Sequence, residues 1–497
     1  LSKVMESFCP DHSDTLKALV AFKLTNPSKS WREAENWYQW SFAKILYPKA
    51  TVSSVRISEF HAHIGNENYY QSFFTSYLQM ISSNKNIFGK ISVGTLIDST
   101  SLDNYIKTHL TAISNHNEVV KNEIRLIYIL DRESKLPLYF RYVPANTIDN
   151  SILTTTINEL RAFGIDVDLI IMDAGYCSKQ NIEQLSKQNI NFITRMTRNR
   201  KEYKSLMSEH GNDMQRPENA IRYHERFLFG KKVPITLYGA ELNAYIMLDL
   251  NEYTKDMQNG TANYLEVKDD PLAIQKAHDS YFSAGKFILL SSNDYSIDEI
   301  LPMYYTRQAI EQVFDIAKTY IGDTPLRVHS EDTLRGVLLI AFIATALNSS
   351  LSRGLYGSKY STNTALSLLH NAIIKIFESM ISVNELTKQQ REIFSQLNIE
   401  CPYTVLEKNN PLQKSPLLPS VEKEKGNRGR PKGSKNKPKH TFAADIESKQ
   451  IMTSERQRGR PKGSKNKAKQ ANGLETSQNI EERRQRGRSK GSKNKVK

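Results

Sequence analysis

The stretch DLIIMDAGYCSKQNIEQLSKQNINFITRM (168–196) reads as a strand, a helix and a second strand. Its LIIM run is uniformly apolar, as in a strand buried on both faces, and it stops on an acid, Asp173. Ser178 is an N-cap candidate for the helix that follows, and NFITRM (191–196) is the next strand. Upstream, NSILTTTINELRAFG (150–164) has helical apolar spacing and a stop signal in Gly164. Before it, EIRLIYIL (123–130) and LPLYFRYV (136–143) form a strand pair around the turn DRESK (131–135). GTLIDST (94–100) is a further short apolar strand that ends in an acid, Asp98.

Three strands, helix, strand, helix, strand is the order of a ribonuclease H-like α/β core, a mixed sheet with flanking helices, lacking only its last helix. Residues of about 200–285 interrupt the pattern with polar, patchy sequence and short strand candidates at 226–230, 233–239 and 243–250, which predicts a β-rich insertion. KFILLSS (286–292) returns to the core pattern, and SIDEILPMYYTRQAIEQVFDIAKTY (296–320) supplies the missing helix. The expected organisation is a helical N-terminal region (1–90) with possible DNA-end binding, a catalytic domain (91–330), a C-terminal helical region (331–410) and a disordered basic tail (411–497). The aromatics of the first region, Trp31, Trp37, Trp40, Tyr69, Tyr70, Phe73, Phe74 and Tyr77, are expected in its core.

Moving a DNA phosphodiester requires charge to be stabilised on both the attacking and the leaving oxygen, which two Mg²⁺ ions about 3.5–4 Å apart can do together. Mg²⁺ takes hard oxygen ligands and keeps several waters, so the protein supplies only a few carboxylates from separate elements. Asp98 and Asp173 close strands that are neighbours in a ribonuclease H-like sheet. On the 296–320 helix, Tyr304, Arg307, Glu311 and Lys318 stand at offsets of 0, 3, 7 and 14. At about 100° per residue these fall on one stripe roughly 60° wide. A stripe holding a carboxylate, two cations and a phenol is a poor core face. It suits a metal-ligating Glu311 flanked by phosphate-binding groups: a fork of donors on Arg307, a point charge on Lys318 and a hydroxyl on Tyr304. Asp131 also follows an apolar strand and is the rival for the first acid, ranked lower because it sits in a hairpin turn.

The spacing Tyr304-x2-Arg307-x3-Glu311-x6-Lys318 resembles, without a gap, the signature of a large family of bacterial insertion-sequence transposases of the DDE type. Asp173-Ala174-Gly175-Tyr176 is similar to the family's second-acid motif, and Asp98 in LIDST to its first. The resemblance covers about residues 90–350. It implies Asp98, Asp173 and Glu311 as catalytic metal ligands for two Mg²⁺, with Mn²⁺ as a substitute, and Tyr304, Arg307 and Lys318 as phosphate contacts. It also implies nicking at element ends, attack by the freed 3′-OH on target DNA, and at least a homodimer in the synaptic complex. Some family members hold a flipped base on an insertion-domain tryptophan. All three tryptophans here precede residue 41, leaving Tyr223, Phe227 or Phe229 as stacking substitutes. Two other functions stay open: a non-catalytic DNA-binding or architectural protein with a degenerate core, and a ribonuclease H-like nuclease without strand transfer.

The net charge is +15, with 39% hydrophobic and 24% charged residues. From Val421 to Lys497 there are 24 Lys+Arg and 8 Asp+Glu, leaving 44 basic and 45 acidic residues before them, so the excess charge belongs to the tail. The tail repeats one pattern three times: RGRPKGSKNK at 428–437 and 458–467, and RGRSKGSKNK at 486–495. Arg-Gly-Arg-Pro is similar to the AT-hook. Gly429, Gly459 and Gly487 let the backbone enter a narrow minor groove, and Arg428, Arg430, Arg458, Arg460, Arg486 and Arg488 extend along its floor, where A·T tracts concentrate negative potential. Pro431 and Pro461 set the exit direction, and Ser489 replaces proline in the third copy. The expected partner is double-stranded DNA, with no membrane: the longest apolar run, Val337 to Leu347, is short and reads as a buried helix. Cys9, Cys177 and Cys401 are isolated and the histidines form no ligand pattern, so a reducing, cytoplasmic and nucleoid-associated setting is expected. Deleting 421–497 is expected to weaken DNA affinity and to flatten its dependence on salt in a titration series, since fewer counterions are released. Unchanged affinity would argue against a DNA tether.

Overall fold

The computed structural model describes residues 1–83, 94–104, 108–116, 119–147, 149–267, 272–322, 326, 328–378, 380–402, 405–407 and 410–414. The three tail repeats, including every arginine, glycine and proline assigned to the minor groove, lie outside these residues.

Six helices come first: α1 (Ser2–Phe8), α2 (Ser13–Thr25), α3 (Ala34–Trp40), α4 (Ala43–Leu46), α5 (Ser54–Ile64) and α6 (Glu67–Ser83). Tyr70, Phe73, Phe74 and Tyr77 recur at helical spacing on α6 and are buried, as expected for a core stripe. Trp31 and Trp37 are only partly buried and Trp40 is exposed, so the tryptophan group is not uniformly core. The N-terminal strands are β1 (Gly94–Asp103), β2 (Ala112–His116), β3 (Val119–Asp131) and β4 (Pro137–Pro144), of which β2 has no counterpart in the sequence reading. Helix α7 (Asp149–Ala162), β5 (Leu169–Met172), α8 (Lys179–Lys187) and β6 (Asn191–Arg195) follow in the expected order. Ser178 caps α8, accepting a hydrogen bond from the Asn181 amide.

The core strands lie side by side as β4-β3-β1-β5-β6. Strand β1 is antiparallel to β3 and parallel to β5, and β5 is parallel to β6. This is the mixed sheet of the expected ribonuclease H-like order. The inserted segment contributes both strands and helices. Helix α9 (Lys201–His210) precedes β7 (Ala220–Tyr223), β8 (Arg226–Leu237) and β9 (Ala240–Asp249), and these strands extend the same sheet beyond β10 (Lys286–Ser291). Between β9 and β10 stands a helical pair, α10 (Leu250–Glu266) and α11 (Ala273–Ser283).

The helix expected over 296–320 is two helices, α12 (Ile297–Tyr305) and α13 (Gln308–Ile321). At the junction the amides of Arg307, Ala309 and Ile310 bond carbonyls three residues back, and the Thr306 hydroxyl takes the Met303 carbonyl at 2.6 Å. A 3₁₀-type tightening backed by a side-chain hydroxyl interrupts the α ladder there. Helix α14 (Glu331–Gly354) is apolar and long enough to cross a membrane, yet 78% of its apolar window is buried within the fold, which makes it a core helix. The rest of the region 331–410, expected to be helical, contains two strands as well as helices: α15 (Thr362–His370), β11 (Ile374–Ile376), β12 (Met380–Val383) and α16 (Lys388–Gln396). Strands β13 (Val405–Glu407) and β14 (Asn410–Lys414) complete a second, four-stranded sheet, so regular structure runs past residue 411.

Helix α14 joins the N-terminal helices to the sheet. Its Phe342 packs against Phe73, Phe74 and Tyr77 of α6 and Phe140 of β4. Arg335 ties the same elements with its guanidinium, donating to the Gly65 carbonyl (2.6 Å) and the Tyr142 hydroxyl (2.7 Å) and pairing with Glu67 and Glu331. The end of α5 and α14 meet backbone to backbone. A Cβ on Gly336 would stand 2.0 Å from the His61 carbonyl oxygen, and one on Gly65 would stand 1.8 Å from that of Asp332. His61 is itself buried, with Nε2 lacking a hydrogen-bond partner. Burial, assisted by the Lys23 ammonium, pushes its imidazole down to about 3.

Glycine to alanine inside a helix ordinarily gains about 1 kcal/mol. Here the added carbon meets backbone that cannot rotate away, so Gly336→Ala is expected to destabilise by about 1–3 kcal/mol in urea unfolding, as overpacking does. The depressed His61 value gives a second expectation. The unfolded chain takes up a proton near the ordinary value while the folded chain refuses it until about pH 3, so stability present at neutral pH is lost as pH falls. At pH 5 the His61 share of that loss is roughly 2 kcal/mol. His61→Leu should show a correspondingly smaller loss between pH 7 and pH 5, and an unchanged loss would refute the assignment.

Candidate active site

The pairing of β1 with β5 brings two acids together. Ile97 stands opposite Met172 in the parallel ladder, so Asp98 and Asp173 are each the next residue along. Asp98 is held by its own strand, its Oδ1 accepting the Ser99 amide at 2.8 Å. The Asp173 carbonyl accepts the Thr194 hydroxyl of β6 at 3.1 Å, anchoring the point where the chain leaves the strand for the turn Ala174–Tyr176.

The third acid arrives from α13. Glu311 is in its first turn, and Arg307 precedes it by one helical turn. The Arg307 guanidinium donates from Nη1 to Asp98 Oδ2 at 2.6 Å and from Nη2 to Glu311 Oε1 at 3.1 Å, with Asp173 Oδ1 3.7 Å from Nη2. The three carboxylates therefore surround one cation. The Asp98 side chain is 14% exposed, while those of Asp173 and Glu311 are 43% and 57% exposed. The group is rooted in the core on one side and open to solvent on the other.

Burial is the largest influence on Asp98 and pushes its carboxyl up to about 6, with Arg307 and the Ser99 amide opposing and the two other acids adding to the rise. Tyr304 is buried beside the same guanidinium. Burial pushes its phenol up to about 12, so it is a neutral hydroxyl at physiological pH. The surrounding acids hold the Arg307 guanidinium above its ordinary value against the effect of burial. Lys318, two turns further along α13, is half-buried and has no ion pair with a described residue.

Among the described residues, no three His, Cys, Asp or Glu side chains form a group that could hold a metal ion as they stand. The three carboxylates are each turned to the Arg307 guanidinium instead. The donor set itself, three carboxylates aimed at one positive group, suits a hard divalent cation once the guanidinium moves.

Asp131, the rival first acid, is committed elsewhere. It is buried in the β3–β4 turn, where its Oδ2 accepts the Ser134 amide and hydroxyl at 2.7 and 2.6 Å. Of the aromatics offered for base stacking, Tyr223 is already stacked on Tyr305 at 5.1 Å, Phe229 is partly buried, and Phe227 is exposed. Cys177 is buried, which pushes its thiol up to about 11 and leaves it unreactive. Sequence reasoning passed over Arg195. It ends β6 one residue past Thr194, which pairs with Met172, so it stands level with Asp173. It packs on the Phe287 ring at 5.1 Å, and its charge partly opposes the rise that burial imposes on the Tyr304 and Tyr305 phenols. The one sequence signal for it is a cation closing the strand NFITR.

No curated protein sequence matches the chain. Among solved structures, the fold is similar to the cryo-EM structure of a piggyBac transposase synaptic complex with hairpin DNA, with a TM-score of 0.41 and 12% identity over 72% of this chain and 70% of that one. Residues 90–347, more than half of the sequence and all three acids within it, match the family described as the transposase DDE domain, and to that family the chain belongs.

Proposed function

We propose that the protein cleaves DNA strands at the ends of a mobile element and transfers the resulting 3′-OH to target DNA, with Asp98, Asp173 and Glu311 as the acidic residues of the site. The observation that carries this reading is the convergence of three carboxylates from β1, the end of β5 and α13 on a single guanidinium. A binding protein has no need of such a cluster, because like charges brought together cost stability.

In this reading Asp98, Asp173 and Glu311 would hold two Mg²⁺, or Mn²⁺ in their place. Bound there, the ions would supply activation of the attacking water or hydroxyl and stabilisation of the leaving oxygen. The remaining work belongs to the chain's own side chains. Arg307 presents a planar fork that matches two phosphate oxygens, and Tyr304 donates a hydroxyl that stays protonated. Lys318 contributes a point charge further along the DNA, and Arg195 offers a fixed cation on the Asp173 side. The apolar base of the site, with Ile97 and Met172 buried behind the acids, keeps water from the Asp98 side.

The partner is double-stranded DNA: element ends at the site, and A·T-rich minor groove along the repeats at 428–437, 458–467 and 486–495. Joining two ends calls for at least a dimer, and the proposed location is cytoplasmic and nucleoid-associated. The signature spacing at 304–318 supports placement among the insertion-sequence transposases.

Glu311→Gln keeps the size and removes the charge. It is expected to lower Mg²⁺- or Mn²⁺-dependent cleavage of an element end about a thousandfold, equivalent to about 4 kcal/mol of transition-state stabilisation, while gel-shift affinity for the same DNA stays within a few-fold. Undiminished cleavage by this variant would remove Glu311 from the site.

A further inference from the structure

Arg307 has two claims on it that cannot be met together. As a phosphate ligand it must present its fork to DNA. In the structure both of its terminal nitrogens are spent on carboxylates: Nη1 on Asp98, Nη2 on Glu311 and, at 3.7 Å, on Asp173. The oxygens it engages belong to the groups a divalent ion would use, and a guanidinium and a metal ion cannot fill one space. Arginine is also charged at every accessible pH, so it competes with the metal throughout.

We propose that Arg307 is a resident counter-ion that DNA removes, making divalent-metal binding at Asp98, Asp173 and Glu311 conditional on a phosphate being present to receive the guanidinium. The inference rests on the metal-site reading above and adds a thermodynamic coupling to it. Without DNA, Arg307 neutralises part of a triple negative charge and holds the site closed to ions. A DNA phosphate offers the guanidinium a bidentate partner of equal chemistry, with Tyr304 beside it. Its departure would free Asp98, Asp173 and Glu311 to serve as oxygen ligands for a hard cation. The backbone is suited to the exchange, because Arg307 lies between α12 and α13 on short 3₁₀-type bonds rather than inside a regular α ladder. By linkage the effect is mutual: whatever factor DNA adds to metal affinity, metal adds to DNA affinity.

The test is Mn²⁺ binding to the full chain, followed by electron paramagnetic resonance or calorimetry, with and without a short random-sequence duplex as phosphate source. The wild-type chain should bind Mn²⁺ weakly alone and about 5–150-fold more tightly with duplex, the usual span of such couplings. Arg307→Gln should bind Mn²⁺ more tightly than wild type without DNA, and duplex should add little beyond its own ion atmosphere. Arg307→Lys keeps the charge but loses the fork, and should fall between the two. It carries the comparison if thermal melting shows that Arg307→Gln does not fold. If removing the guanidinium leaves Mn²⁺ affinity unchanged or lower in the DNA-free chain, or if duplex raises affinity equally in all three chains, Arg307 is an organiser of the carboxylates and the proposal is wrong. Absence of Mn²⁺ binding in every chain, with or without duplex, would overturn the metal site as well.

Discussion

The parallel pairing of β1 with β5 is the constraint on which the rest of the structure depends. Side chains alternate faces along a strand, so slipping the pairing by one residue would turn Asp98 away from Asp173 and bury it among the apolar side chains. That slip is blocked from both sides. Ile97 is matched to Met172 on one edge, while on the other β3 runs antiparallel with Asp98 opposite Tyr128. Leu96, Ile97, Ile171 and Met172 are all buried, and exposing four such side chains would cost about 1.5–3 kcal/mol each. Apolar burial thus sets the positions of the acids.

The cluster works against the stability that positions it. Three carboxylates with one guanidinium carry excess negative charge, and Asp98 at 14% exposure is pushed up to about 6 chiefly by its burial. Two acids remain more than a third exposed, so water screens much of the repulsion. Such tension at one end of a sheet is characteristic of functional sites. The Arg307 guanidinium offsets part of that repulsion, since an unpaired triad would be costlier still.

Helix α14 holds the site indirectly. It is buried along most of its length and packs on both the N-terminal helices and β4, so the surface on which α13 rests is stiff. The closeness of α5 and α14 at Gly65 and Gly336, with Arg335 bridging Gly65, Glu67, Tyr142 and Glu331, joins the helical region to the catalytic sheet as one packed body. An apolar run that composition alone matches to a membrane span is here explained by what covers it.

The sequence by itself determined the order of β1, β3, β4, α7, β5, α8 and β6, the two strand acids, and the tetrad spacing that points to Glu311, because these are local patterns of burial and period; the structure adds β2 and carries β1 on to Asp103, so that Asp98 lies inside its strand rather than at its end. It also determined the repeats of the tail. Only the tertiary structure decided other matters. It separated Asp98, which faces Arg307, from Asp131, which is absorbed by its own turn; both follow apolar strands and look alike in one dimension. It joined the inserted strands β7–β9 to the central sheet and folded a second sheet at 374–414, since short apolar runs do not name their partners. It broke the 296–320 helix at Thr306 and Arg307, where hydrogen bonding to Met303 outcompetes a smooth helical period. And it placed Arg307 against a carboxylate 209 residues away in the chain, a contact that depends on how the sheet and the helix pack and on nothing written near either residue.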